Sequence, residues 1–319
     1  MIHDSEAAAV FGHLDALLDD LAPEPAYRQL FDTALRLVRE TAEATDVFLP
    51  IDLPLAVADI LGRPVHERHL AAAASTCLWA GADLMDDAAD GQLPEVWSEV
   101  SPHLLLLVST NLLSTIPHLL AARLAGRDSS AAYGEAVSRT LFVMSSGQAS
   151  DLRAHRDVRT IDAYLSMVRR KSGVEFGLFA ATPALLAEGD GDAAAAWVRF
   201  GMAYGTMCQV FDDTVSAIVE GSRNDLLRGK PSLPVLRALE ATGDQDHLRL
   251  LADLDSAASG DQAAVQRVID CITRTASLRF SFERIELLRY RAAQALPVKL
   301  AALEPDHAMR QLLRQFSMF

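Results

Sequence analysis

The sequence predicts an all-α protein, a single-domain helical bundle over residues 1–319, and three observations predict it. Apolar residues recur at three- and four-residue spacing almost throughout. Half of the residues are hydrophobic, 50%; Ala and Leu dominate them, and Val, Ile and Thr runs bounded by glycine are scarce, which favours helix over sheet. No composition break, internal repeat or low-complexity linker divides the chain, so one large domain accounts for its 319 residues.

The periodicity marks the elements in order. Helices are expected over 7–20, 26–43 and 52–61, the last stopping at Gly62. A long apolar helix over 67–89 runs into Asp86-Asp87-Ala88-Ala89-Asp90. The next, over 103–123, covers the longest apolar stretch, Leu104 to Ala122. Ser109, Thr110, Asn111, Ser114, Thr115, Pro117 and His118 interrupt that stretch and mark it as a core helix rather than a membrane span. Gly126 follows its end. Asp128-Ser129-Ser130 offers N-caps for a helix over 131–153, and Thr160 caps one over 161–186, with Gly189 beyond it. Helices over 192–220, 232–241, 246–256, 261–295 (capped by Asp261) and 306–316 complete the chain. A bundle builds its site in its interior, from side chains on facing helices.

Charge narrows the function classes. The net charge is −14, from 43 acidic against 29 basic residues. That field repels nucleic acid and anionic membrane, and no Lys/Arg stripe opposes it. An anionic substrate would need metal ions or a local basic cluster. Cys77, Cys208 and Cys271 lie far apart without a CxxC pair and read as reduced core residues of a cytoplasmic protein. The acidic start, MIHDSEAAAV, carries no basic region of an export signal.

Two acidic constellations carry the chemistry. In the first, Asp86 and Asp90 stand four residues apart on one helix face, with Asp87 beside them. Carboxylates that repel each other at that distance are reconciled by a divalent cation. In the second, Asp212, Ser216 and Glu220 recur every four residues among Val210, Phe211, Val215 and Val219. Such an oxygen stripe is costly to bury unless it binds metal. Hard oxygen ligands suit Mg²⁺, which keeps several waters and bridges to phosphates, so a diphosphate is expected between two acidic helices. Arg169-Arg170-Lys171 at a helix end, Arg228-Gly229-Lys230, and Arg289-Tyr290 are the candidate clamps for the departing group.

These residues resemble the trans-isoprenyl diphosphate synthases (polyprenyl synthetases) and, more broadly, the class I terpene synthases. The likeness runs from about Ala71 to the C-terminus. It rests on Asp86-Asp87-x-x-Asp90, Gly147-Gln148-x-x-Asp151-Leu152, and Tyr164 to Lys171-Ser172-Gly173. Gln209-Val210-Phe211-Asp212-Asp213 and Asp225-Leu226-Leu227-Arg228-Gly229-Lys230-Pro231 follow in the same order. The resemblance implies that Asp86, Asp90 and Asp212 hold Mg²⁺, three ions in all, that Lys171 and Lys230 bind the diphosphate, and that Gln148 lines the same cavity. A homodimer is the expected assembly.

The departures from that family are informative. Its Gly-Lys-x-x-Arg-Pro segment, which binds isopentenyl diphosphate, falls here on Thr45-Asp46-Val47-Phe48-Leu49-Pro50, without the cations. Arg63 and Arg68 lie too near the first motif to occupy that register. An arginine pair after the first motif is replaced by Gln92-Leu93-Pro94-Glu95-Val96. The insertion after the second motif is short and drops one lysine. Asp-Asp-x-x-Ser-x-x-x-Glu resembles the metal motif of terpene cyclases, and Arg289-Tyr290 and Arg169 or Arg170 fall where those enzymes place diphosphate-sensing residues. The expected function is Mg²⁺-dependent ionisation of an allylic prenyl diphosphate. The cation is captured within the substrate or by water; prenyl transfer to an unusual acceptor and elongation through a rebuilt isopentenyl site are the rivals. A non-catalytic subunit would have no use for such repulsive carboxylate faces. Gly81 and Ala82, one turn before Asp86, leave room for farnesyl or geranylgeranyl chains.

Overall fold

The computed structural model describes residues 4–124, 127–153, 159–187, 191–218, 224–227 and 229–315. Helices dominate, and no strand occurs among the described residues. In chain order they are α1 (Asp4–Leu21), α2 (Pro25–Ala44), α3 (Leu49–Ile60) and α4 (Val65–Asp90). A short 3₁₀ turn, Glu95–Trp97, precedes α5, which comprises Pro102–Thr110, a π-turn at Asn111–Thr115, and Ile116–Leu124. After α6 (Arg127–Asp151), α7 likewise comprises Ile161–Val168, a π-turn at Arg169–Gly173, and Val174–Leu185. Then come α8 (Gly191–Ser216), the single turn α9 (Asn224–Leu227), α10 (Leu233–Ala241), α11 (Asp244–Ala258), α12 (Gln262–Arg274), α13 (Ser277–Ala295) and α14 (Ala308–Arg314).

The residues group into two compact units, the first drawn from 1–141, 176–201 and 296–315, the second from 142–175 and 202–295. In the first unit α4 is the central helix, packed by α1, α2, α3 and α5. Its run Ala71 to Ala74, with Cys77 and Leu78, is almost wholly buried. Small residues there let neighbouring helices approach on several sides at once. Residues 50–58 of α3 are buried all round, so that helix is interior rather than amphipathic. In the second unit α10 packs on α13, α12, α11 and the first segment of α7, and α11 packs on α12. Cys77, Cys208 and Cys271 are all free and buried.

Sequence periodicity gave most of these helices, and three local features differ from it. The expected helix over 261–295 breaks at Thr275-Ala276, where Ala276 takes φ +52°. The Thr275 hydroxyl hydrogen-bonds with the Cys271 carbonyl at 2.7 Å and the Ser277 hydroxyl at 2.7 Å, closing α12 and opening α13. The expected helix over 192–220 ends at Ser216, with residues 217 and 218 in a turn. Arg169-Arg170-Lys171 is not at a helix end; it forms a π-turn inside α7. Helix α5 is the one described helix long and apolar enough to cross a bilayer, with 44% of its apolar window buried. Its polar groups have work within the protein: Asn111 Nδ2 donates to the Tyr27 hydroxyl and the Leu107 carbonyl, both at 3.0 Å.

Candidate active site

In the first unit the acidic end of α4 is closed by Gly91, which adopts φ +68° and leaves the Asp87 carbonyl to accept from the Gly91 and Gln92 amides. Asp86 and Asp90 present carboxylate oxygens within 4.8 Å of each other, on one stripe. A pair of hard oxygen donors at that spacing fits a divalent cation such as Mg²⁺. The neighbouring stripe of the same helix carries Asp83 and Asp87, which open into a groove of about 510 Å³. Packing around its carboxyl, reinforced by the charges of Asp87 and Asp86, pushes Asp83 up to about 7, although the residue as a whole is exposed.

That groove runs between α2, α4 and the 94–97 turn. Ala44, Thr45, Pro94 and Trp97 line it together with Trp79, Glu40 and Thr41. Thr45, the first residue of the register that lacks its expected cations, and Pro94 of the segment that follows the first motif both line it. None of the lining residues is basic among the described residues. Arg63 and Arg68 are engaged elsewhere: Arg63 pairs with Glu67, and Arg68 pairs with Asp59 and donates to the Arg63 carbonyl at 2.6 Å. Gly81 does not open a channel. It is buried against α5, where an added Cβ would sit 2.8 Å from Leu113 Cγ, so its role is close helix packing.

In the second unit the basic and acidic motifs are wired together. Lys171 Nζ and Lys230 Nζ both donate to Asp151 Oδ2, at 2.9 and 2.8 Å, and Asp151 is 8% exposed. Burial pushes the Asp151 carboxyl up, but the two lysines, by charge and hydrogen bond, outweigh it and hold it below the usual carboxylate range. Two ammonium groups thus converge on one buried carboxylate. Close backbone approach makes this possible. A Cβ on Gly147 would lie 2.4 Å from the Lys171 amide nitrogen, and one on Gly173 would lie 2.7 Å from Thr206 Oγ1. The π-turn at 169–173 thus seats against α6 on one side and α8 on the other.

A second network fixes the end of α8. The Tyr164 hydroxyl donates to Asp213 Oδ2 at 2.5 Å, Gln209 Nε2 donates to Asp213 Oδ1 at 2.7 Å, and the Ser172 hydroxyl donates to Gln209 Oε1 at 2.6 Å. Asp213 is therefore committed to structure, leaving Asp212 as the outward acid of the motif. Lost solvation around the carboxyl raises Asp212 to about 6, even though the residue as a whole is exposed. Ser216 stands one turn further, at the helix end. Glu220 and Arg228, both expected at the site, lie outside the described residues. Arg170 donates to the Ser166 hydroxyl at 2.8 Å and the Ser150 hydroxyl at 3.4 Å. Arg169 enters the π-turn beside it, and Gln148 follows Gly147 on α6. Arg289 pairs with Glu286 at 2.7 Å along α13, and Tyr290 is 60% exposed. Asp151, Tyr164, Gln209 and Asp213 belong to the sequence motifs, and their hydrogen bonds give them a positioning role that the motifs alone do not. Their spacing to Lys171 was the available signal.

The family model for polyprenyl synthetase matches residues 83–272, more than half of the chain. The chain belongs to the polyprenyl synthetase family. The matched region contains both acidic motifs and both lysines. Among curated relatives, the all-trans-nonaprenyl-diphosphate synthase (geranyl-diphosphate specific) of Rhodobacter capsulatus is 30% identical over 179 residues, 53% of this chain and 52% of that protein. The chain thus spans about half the length of the curated relatives it matches. Among solved structures, the geranylgeranyl pyrophosphate synthetase of Pyrococcus horikoshii Ot3 aligns with a TM-score of 0.77 at 20% identity, over 98% of this chain and 94% of that one. The octaprenyl pyrophosphate synthase of Helicobacter pylori aligns with a TM-score of 0.77 at 14% identity, over 99% of each. At those identities the likeness establishes the polyprenyl synthetase fold, all-α as expected from the sequence.

Proposed function

We propose that the chain is an enzyme of the isoprenoid synthase class that ionises an allylic prenyl diphosphate. The prenyl group then passes to an acceptor that carries no diphosphate. The observation that carries the reading is the buried Asp151 that gathers Lys171 and Lys230, two ammonium groups brought together in an otherwise acidic protein. Family membership supports prenyl transfer, and the cation-free groove beside the first motif speaks against isopentenyl diphosphate as the acceptor.

In this reading Asp86, Asp87, Asp90, Asp212, Ser216 and Glu220 are the residues that would hold Mg²⁺. Bound Mg²⁺ supplies charge neutralisation for the diphosphate. Lys171 and Lys230 bind the diphosphate oxygens, and Arg169, Arg170, Arg228, Gln148, Arg289 and Tyr290 complete the candidate clamp. The allylic C–O bond breaks heterolytically, and its electron pair leaves with the diphosphate. The ammonium groups stabilise the charge that gathers there. A π-electron pair of the acceptor then forms the new bond to the allylic carbon, and a proton is lost to the surroundings.

Capture by the substrate's own alkenes or by water is the second reading, favoured by Ser216 in place of an aspartate after Asp212-Asp213. The test is incubation of geranyl, farnesyl and geranylgeranyl diphosphates with millimolar Mg²⁺, with and without labelled isopentenyl diphosphate. Diphosphate release without longer prenyl diphosphates is expected. Efficient label incorporation, saturating at micromolar concentration, would overturn the reading in favour of ordinary elongation.

A further inference from the structure

We propose that His13, His66 and His69 form a binding site for a late first-row divalent cation such as Zn²⁺, apart from the acidic motifs. All three belong to one compact unit, His13 on α1 and the other two on α4, and these helices pack against each other. The His13 and His69 rings lie 6.3 Å apart between centroids, tilted by 46°. A metal bound to one nitrogen of each ring, at about 2.0–2.1 Å, spans that separation. His66 stands three residues before His69 on the same face of α4, and it is exposed. Its ring is near enough to His13 to disfavour protonation there. Rotation of that exposed side chain brings in a third imidazole. The Asp86 end of α4 lies about 25 Å further along the same helix.

A second observation points to a ligand. Nε2 of His69 is buried and has no hydrogen-bond partner among the described residues. An orphaned buried nitrogen is costly unless something binds it. Burial lowers the pKa of His13, helped by the charges of His69, His66 and Arg123. Burial lowers that of His69 as well, with Glu6 opposing and Arg68 adding to it. Both imidazoles are therefore neutral near pH 7, the form that ligates metal. Neither arginine fills the space, since Arg123 pairs with Asp20 and Arg68 with Asp59. Glu6 offers a carboxylate beside His69. Imidazole donors favour Zn²⁺, Ni²⁺ or Cu²⁺, whereas the carboxylates of the acidic motifs suit Mg²⁺.

The probes are Zn²⁺ and Co²⁺, added to the full chain without a polyhistidine tag, in millimolar Mg²⁺ to occupy the carboxylate motifs. Binding is read by calorimetry, by the rise in thermal midpoint that a ligand of the folded state produces, and by the visible bands of Co²⁺, which Zn²⁺ should displace. One such ion per chain is expected. His13→Ala and His69→Ala should each weaken Zn²⁺ binding by about tenfold or more and erase the midpoint rise, with the fold intact by circular dichroism. His103→Ala, at an exposed histidine outside the cluster, and Asp86→Ala should leave Zn²⁺ binding unchanged. No binding of Zn²⁺ at micromolar concentration overturns the assignment. So does full affinity in both His13→Ala and His69→Ala, or loss of binding in Asp86→Ala. No allylic diphosphate is present, so the binding result and the diphosphate-release result can fail independently.

Discussion

At the scale of single residues, charge placement separates roles that the motifs leave merged. Asp212 and Asp213 are adjacent, yet Asp213 is held by Tyr164 and Gln209 while Asp212 faces outward. Asp86→Ala and Asp212→Ala should each lower turnover at least tenfold, about 1.4 kcal/mol of transition-state stabilisation, whereas Asp213→Asn should mainly lower the melting temperature. Steady-state kinetics beside thermal melts separates the two outcomes. Asp52 offers a test of pH linkage. Burial raises its carboxyl to about 6 despite a hydrogen bond from the Phe48 amide at 2.6 Å. The folded chain holds this proton more tightly than the unfolded chain, so the stability it contributes is greatest below about 3.8 and declines as pH rises through about 6. Asp52→Asn should therefore melt a few degrees above wild type at pH 8, on a scale of about 3 kcal/mol at most, and the gap should close near pH 4. A gap independent of pH would place the effect in packing instead.

At the scale of elements, the second acidic motif and the lysines depend on how closely helices approach. Gly147→Ala drives a Cβ into the π-turn backbone and should displace Lys171. Diphosphate release should fall more than tenfold, with helix content retained by circular dichroism. Activity near wild type would show that the turn can shift without harm. Ala276→Gly relieves a left-handed alanine and should stabilise the chain by about 1 kcal/mol, seen in thermal melts. What the sequence revealed here follows from what each signal encodes. Helix faces repeat every few residues, so α4 and the Asp86–Asp90 stripe were legible. The α12–α13 break was not, because Ala276 carries no turn signature. The π-turns were hidden too, since hydrogen-bond register leaves no mark on composition.

At the scale of the whole molecule, family and fold were legible because motif order and spacing survive where identity to solved relatives is as low as 14%. The groove was not, because its walls come from residues scattered between Ala34 and Trp97. Gly81 misled for the same reason: a missing side chain reads as space in sequence, and the space is filled by Leu113 from another helix. Assembly is testable at this scale. Leu104, Leu106 and Leu107 of α5 are 41%, 50% and 54% exposed, a cluster of leucines on an apolar helix that is less than half buried. In the expected homodimer this face would be covered by a second copy. Leu107→Arg should then shift sedimentation from dimer to monomer; an unchanged dimer would exclude the face, and a monomeric wild type would remove the expectation.

The π-turn at Arg169–Gly173 also governs how this stretch can change over evolutionary time. A π-turn is an α-helix carrying one residue too many. Deleting one of its five residues would restore ordinary helical pairing, and the chain would still form a helix there. The bulge absorbs the surplus residue, so the segments on either side would keep their faces, with Phe179 still in the core. What would move is the turn itself, where Lys171 reaches Asp151 and Gly173 approaches Thr206. A relative without the extra residue should therefore keep the helix and its packing and carry this lysine in a different place.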